Sequence, residues 1–284
     1  MSTNPIYKSS EGEKAILAFY DSVVARWPVS NEKLNIPTRH GDTFVIASGD
    51  EAAPPLVLLH GSSTNSAIWS SDVVEYSRHY RVYAVDTLGE PGHSAPNRPS
   101  LKSLAYAEWL ADVFEALNIE KAAVIGYSQG GWMALRFSTI HPERIEKLVL
   151  LTPGGVTNVR LSTVLRLIAV SLFGRRGMQS INRLVYGNLA IPGEVEEFST
   201  LIMNHYKPRT DAQPLFSDEE LKRLTIPTLL VAGAKDCFYV SEKTAARLQK
   251  LLPDFQANIL PDTGHVLLDT TAQLMSFLAP ADHA

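Results

Sequence analysis

The chain of 284 residues holds one cysteine, Cys237. No disulfide can form within it, so the fold does not depend on an oxidising compartment. An excess of one sign of charge is missing too: the formal net charge is −4 and the pI about 6.1. That excludes the basic footprint of a nucleic-acid binder or a membrane-surface protein. No apolar run suffices to span a bilayer, because the longest, Leu161 to Phe173, is broken by Arg166 and several polar residues. The opening stretch, MSTNPIYKSSEGEK, has no apolar signal core. Cys/His clusters with metal-ligand spacing are missing. Gly89 and Gly92 form no phosphate-binding fingerprint ahead of a helix. Internal repeats and low-complexity tracts are missing as well. These absences predict a soluble, cytoplasmic protein with no cofactor, no metal, and no nucleic-acid or membrane partner. They leave the oligomeric state open.

What is present is apolar residue in short runs. Hydrophobic residues make up 45% of the chain, enough for one large α/β domain. Leu56 to Leu59 ends at His60-Gly61, and Val82 to Val85 ends at Asp86. Ala122 to Ile125 precedes Gly126, and Leu148 to Leu151 leads into Pro153-Gly154-Gly155. Thr228 to Ala232 ends at Gly233. Continuous runs of this length fit strands buried on both faces, as in a parallel sheet. Helical periods lie between them: Leu110, Val113, Phe114 and Leu117, then Leu248, Leu251 and Leu252 behind an expected N-cap at Ser241. The alternation predicts an α/β fold with a doubly wound, mostly parallel sheet, whose ligands sit beyond the carboxyl ends of the strands.

Two regions depart from the alternation. An N-terminal helical extension over about 1–30 centres on Ala15 to Tyr20, and Asn35 to Ser48 then reads as an antiparallel hairpin turning at His40-Gly41-Asp42. The stretch 156–222 carries helical patterns and no strand run, so it reads as an inserted helical cap. The core is then 1–155 with 223–284.

Gly126-Tyr127-Ser128-Gln129-Gly130 reads G-x-S-x-G between an apolar run and a helical segment. That context lifts a serine onto a sharp strand-to-helix turn, with a helix N-terminus behind it. A serine hydroxyl is a poor nucleophile and needs a histidine base, itself oriented by an acid. In hydrolases on a doubly wound sheet the chain order is Ser, acid, His. Asp236, after the run ending at Ala232, supplies the acid, and His265, after Asn258 to Leu260, supplies the base. Asp262 is expected to point elsewhere, and the loop Thr152 to Gly155 has no acid. The other histidines, at 40, 60, 79, 93, 141, 205 and 283, lie outside the required position. An oxyanion needs backbone donors. Gln129, following the serine, provides one, and Ser62, in the loop after the first parallel strand, provides the other. His60 is expected to brace that loop. Trp69, Tyr127, Phe173, Tyr186, Met203, Tyr206 and Phe238 are candidate pocket residues. Cys237 is expected to pack, not to react.

These pieces together resemble the α/β-hydrolase superfamily: His60-Gly61-Ser62, Asp86 to Ser94, the serine turn, Gly233 to Asp236, and Gly264-His265. The segment from Asp86 to Ser94 resembles the family's D-x-x-G-x-G-x-S loop with one residue inserted. With the N-terminal extension, the chain most resembles bacterial carboxylesterases of the Bacillus naproxen esterase type. The resemblance implies cofactor-free hydrolysis of small carboxylic esters, with nucleophile, acid and base carried by Ser128, Asp236 and His265. Perhydrolysis, carbon–carbon bond, lactone or amide hydrolysis on the same triad, and a ligand receptor on the same fold, remain alternatives. An aspartate nucleophile, as in dehalogenases and epoxide hydrolases, is excluded by Ser128.

Overall fold

A computed structural model describes residues 6–171, 185–186 and 193–279. Eight strands form one sheet in the order β1-β2-β4-β3-β5-β6-β7-β8. They are β1 (Asn31–Ile36), β2 (Thr43–Ser48), β3 (Pro55–Leu59), β4 (Arg81–Val85), β5 (Ala122–Tyr127), β6 (Ile145–Leu151), β7 (Thr228–Gly233) and β8 (Phe255–Leu260). β1 pairs antiparallel with β2, and β2 with β4; every later pairing is parallel. The antiparallel hairpin expected from Asn35 begins earlier, at Asn31, and its turn spans 37–42.

Alternate side chains on a strand point to opposite faces, so each apolar run supplies two cores. Val57, Leu59, Val124, Leu148, Leu150, Leu230 and Ala232 belong to one buried cluster. Their neighbours Leu56, Leu58, Ala123, Ile125, Val149, Leu151, Leu229 and Val231 belong to the other. Helices α3 (Ala105–Ala116) and α4 (Gln129–Ile140) cover the first face, with Trp109, Leu110, Phe114, Trp132 and Phe137. The second face is covered by α1 (Ser10–Ala25), through Tyr20 and Val24, and by α2 (Val73–Tyr76). Layers on both faces are what runs without polar alternation require.

The N-terminal extension is the helix α1. The Ser9 hydroxyl caps it by accepting the Gly12 N–H, and Ile16, Tyr20 and Val24 form its buried stripe. Between β6 and β7 come α5 (Leu161–Ser171), α6 (Gly193–His205) and the single turn α7 (Asp218–Leu221). Val156, Phe216 and Leu221 are buried with the main core. Helix α6 packs on α1, where Phe19 and Phe198 stack at 5.6 Å. Helices α8 (Ser241–Leu251) and α9 (Thr271–Leu278) complete the layers. Ser241 is not the N-cap of α8: Val240 holds that position, and the Ser241 hydroxyl donates instead to the Gly233 carbonyl at 2.6 Å. No helix among the described residues is long and apolar enough to cross a membrane.

The loop after β4 is tied to its surroundings by Asp86, which is fully buried. Its carboxylate accepts from the Tyr20 hydroxyl, the Ser66 N–H and the His93 N–H, each at 2.9 Å. One side chain thus joins α1 to the two loops on the carboxyl edge of the sheet. Asp86→Ala leaves two buried donors and one part-buried donor unmatched, and each buried one costs roughly 1–3 kcal/mol. We expect a loss of about 3 kcal/mol or more in urea denaturation; a loss under about 1 kcal/mol would show that the loops are held by other contacts.

Candidate active site

Because β3 and β5 to β8 run parallel, their carboxyl ends lie on one edge, and the loops that follow them meet there. Ser128 sits between β5 and α4 with φ 51° and ψ −107°. That is left-handed backbone, which an L residue avoids at a cost of about 1–3 kcal/mol. Neighbouring strands hold it: the Ser128 N–H donates to the Leu151 carbonyl at 2.8 Å, and its carbonyl accepts from Trp132 and Gly154. The glycines either side are steric necessities. A Cβ on Gly130 would stand 2.2 Å from the Leu59 carbonyl oxygen, and one on Gly126 would stand 2.5 Å from the Gly130 oxygen.

Asp236 and His265 come from the loops after β7 and β8, and both are buried. Asp236 Oδ1 accepts the Phe238 and Tyr239 N–H groups at 2.6 and 3.2 Å. Its Oδ2 lies 2.8 Å from His265 Nδ1, and His265 Nε2 lies 3.1 Å from Ser128 Oγ. The three predicted side chains therefore form one continuous line. A carboxylate only accepts, so Nδ1 carries the imidazole proton, which leaves Nε2 with a lone pair facing the serine hydroxyl. Asp262 points away, as expected, and pairs with Lys235 at 2.8 Å.

His60 is buried and braces the loop after β3. The Thr87 N–H donates to His60 Nε2 at 2.9 Å, so Nδ1 is protonated and donates to the Gly61 carbonyl at 2.9 Å. Next in that loop, the Ser63 N–H is taken by Glu90 at 2.6 Å. The Ser62 and Gln129 N–H groups have no acceptor among the described residues. Among the described residues, one uncommitted donor thus lies on the serine turn and one on the loop after β3.

The candidate pocket residues separate into groups. Phe238 packs edge-on to the His265 ring at 4.7 Å, and Tyr127 lies edge-on to it at 6.3 Å. The Tyr127 hydroxyl donates to the His265 carbonyl at 2.9 Å and accepts the Leu267 N–H at 3.0 Å, which pins the histidine loop. Burial drives its phenol well above the usual range, so the donor persists. Tyr186 is half-buried, and the carbonyl of the adjoining Val185 accepts the Val266 N–H, so this stretch of the insertion touches the histidine loop. Trp69, which could line a pocket or pack in the core, is buried in the second core cluster, edge-on to Tyr127 at 6.5 Å. Tyr206 also departs from expectation. It is fully buried and bonds Glu90 at 2.9 Å, so it braces a loop and lines no open surface. Met203 is half-buried on α6, with its carbonyl held by Lys8 Nζ at 2.7 Å. Phe173 lies outside the described residues.

Glu90 escaped the sequence reading. Its only signal was an acid within a loop of glycine and proline, at the place of the inserted residue.

A family model for the alpha/beta hydrolase family matches residues 56–275. The chain belongs to this family. It is 35% identical over 256 residues to the uncharacterized carboxylesterase nap of Bacillus subtilis, covering 87% of this chain and 85% of that one. Carboxylesterase YbfK of the same organism is 32% identical over 262 residues, with 87% and 86% covered. The crystal structure of naproxen esterase from Bacillus subtilis superposes with a TM-score of 0.84 at 30% identity, covering 96% of this chain and all of that one, 100%. The family's eight-stranded, mostly parallel sheet is the sheet described above.

Cys237 adjoins the acid. Burial first, and then the neighbouring Asp236 charge, push its thiol up to about 12. An acid whose folded value is raised stabilises the fold fully below the unfolded value, near 8.5, and that contribution is lost as pH rises above it. At pH 8 the native thiol is protonated. We expect it to react with a disulfide reagent at least ~100-fold more slowly than in urea-unfolded protein; equal rates would show an accessible thiolate.

Proposed function

We propose that this hydrolase is a serine carboxylic-ester hydrolase for small to medium esters, working through an acyl-enzyme on Ser128. The observation that carries the reading is the His265 ring, held at 2.8 Å by Asp236 and at 3.1 Å by Ser128. Similarity over most of the chain to proteins named as carboxylesterases supports the substrate class. His265 Nε2 takes the Ser128 proton as Oγ attacks the ester carbonyl. The oxyanion is received by the Ser62 and Gln129 N–H groups. The imidazolium returns its proton to the leaving alkoxide, and alcohol departs. Water, deprotonated by the same nitrogen, then releases the acid. Asp236 keeps the proton on Nδ1 and stabilises the imidazolium. Phe238, Tyr186 and the inserted helices shape the acyl or alcohol site, and the insertion over 156–222 acts as the cap.

Hydrolysis of p-nitrophenyl esters of increasing acyl length tests this reading. Ser128→Ala should lower kcat/KM by about 10⁴-fold or more. Asp236→Asn should lower kcat by about 10⁴-fold without unfolding. The reason is specific: Oδ1 accepts two backbone N–H groups, so an asparagine must keep its oxygen there and turn its NH₂ toward His265 Nδ1. The imidazole would then carry its proton on Nε2 and cease to be a base. No turnover of any short or medium acyl ester by the native chain would overturn the proposal and favour a receptor on this fold.

A further inference from the structure

One buried carboxylate stands behind both proposed oxyanion donors. Glu90 Oε2 accepts the N–H of Ser63, next to Ser62, at 2.6 Å. Glu90 Oε1 accepts from Gln129 Nε2 at 2.9 Å, and Gln129 also presents the second donor through its backbone. Glu90 is 1% exposed and makes no ion pair among the described residues. A charge buried in this way is costly unless donors surround it. The third donor is the Tyr206 hydroxyl, whose single proton lies between Glu90 Oε2 at 2.9 Å and the Gly89 carbonyl at 3.0 Å. That hydroxyl accepts from Arg98 Nη2 at 2.7 Å, so its own proton is directed at acceptors, and the arginine's charge reaches Glu90 through it. Burial, reinforced by the Glu90 charge, raises the Tyr206 phenol far above its usual range, so the donor is permanent.

The Ser63 bond also has a conformational consequence. Ser63 has φ 59°, left-handed backbone in a residue with a side chain. Such a conformation persists only where its surroundings impose it. Glu90 imposes it here by capturing the Ser63 N–H, while the Ser62 N–H stays uncommitted.

Resting on the esterase reading, we propose that Glu90 is the positioning residue of the oxyanion hole, fixing the Ser62–Ser63 loop and the Gln129 turn at one spacing. It touches no substrate and acts through the two backbone donors. The hole is then preorganised before any oxyanion forms, which is the condition for its contribution to rate.

The test uses Glu90→Ala, Glu90→Gln and Gln129→Met, with rates normalised to sites titrated by diethyl p-nitrophenyl phosphate. Glu90→Ala should lower kcat on p-nitrophenyl esters by about 10²-fold, the scale of one lost oxyanion donor, with KM changed by less than about threefold. Inhibition by a trifluoromethyl ketone, whose adduct on Ser128 bears an oxyanion, should weaken in parallel; inhibition by the product alcohol should not. Glu90→Gln should recover most of the rate. Its oxygen can serve Ser63, and a flipped Gln129 amide accepts from its nitrogen. Should Glu90→Ala fail to fold, Gln129→Met keeps the backbone donor and removes only the tie to Glu90; it should lose about tenfold in kcat. Native kcat per site in Glu90→Ala or, where that fails to fold, in Gln129→Met overturns the proposal. So does equal weakening of both inhibitors. The phosphorylation rate of Ser128 by diethyl p-nitrophenyl phosphate reads the hole without a carboxylic ester. Failure of the esterase reading alone would leave esters untouched but keep the difference in phosphorylation rate between native chain and Glu90→Ala; failure of the Glu90 assignment would make those rates equal.

Discussion

The left-handed turn at Ser128 is the constraint on which the site depends. A strand buried on both faces runs straight into a helix N-terminus, with one residue to reverse direction, at φ 51°. The conformation opposes its own residue type by about 1–3 kcal/mol. It survives because two neighbouring segments leave it no alternative. The carbonyls of Leu59 and His60 crowd one side, closely enough that only a glycine fits at 130. The Leu151 carbonyl and the Gly154 N–H hold the other side through the backbone of Ser128. These contacts come from β3 and β6, the two strands that flank β5. The edge that gathers Ser128, Asp236 and His265 is thus a consequence of the strand order, and the two apolar cores that fix the order also bear the strain.

Around this turn, loops are secured by carboxylates that bind neutral donors. Asp86 accepts one hydroxyl and two backbone N–H groups. Glu90 accepts one hydroxyl, one backbone N–H and one amide. Asp236 accepts two backbone N–H groups and faces an imidazole. Each is nearly excluded from solvent. A lysine or arginine partner would offset burial as well, but it would bring a long, flexible side chain into the place where a substrate must lie. Backbone donors are already rigid and do not compete for space. Between them the three carboxylates tie down the loops after β3, β4, β7 and β8 and the turn after β5.

Much of this was legible in the sequence, for a definite reason. Leu56 to Leu59, Ala122 to Ile125 and Thr228 to Ala232 are read correctly as strands because burial on both faces keeps charged residues out of them. Ser128 and Asp236 could be chosen because each follows such a run, and His265 because it follows the last strand, although that strand is largely exposed; parallel strands end on one edge. Glu90 and Tyr206 were not legible in the same way. Their residues lie 116 positions apart, and nothing in local spacing reports a pairing at that range. Tyr206 was instead read as a pocket aromatic, since an apolar face on a helix does not reveal what covers it. Trp69 was open between pocket and core for a related reason: nearness in sequence to the loop after β3 does not decide between the surface of a pocket and the core beneath it. Ser241 shows the complementary limit. Its hydroxyl has the chemistry of an N-cap, yet a carbonyl of β7 came within reach first.

The N-terminal arm gains its meaning from these long-range ties. Lys8 and Lys207 N–H groups donate to the carbonyls of His205 and Ile6, at 2.7 and 2.8 Å, so the arm pairs with the end of α6 as a short antiparallel bridge. Tyr7 packs edge-on against Tyr206 at 6.1 Å within a small apolar cluster that includes Ile6, Ile16 and Ile202. This cluster is separate from the two main cores. The end of α6, with Tyr206, is thus held partly by residues that precede the sheet in sequence. Because Tyr206 bonds Glu90, the arm bears on the serine turn without approaching it. A chain with the same sheet and triad but no arm would need another support for Tyr206, or another partner for the Glu90 charge. The extension and the buried acid therefore form one structural device, and a change in either alters the demands on the other.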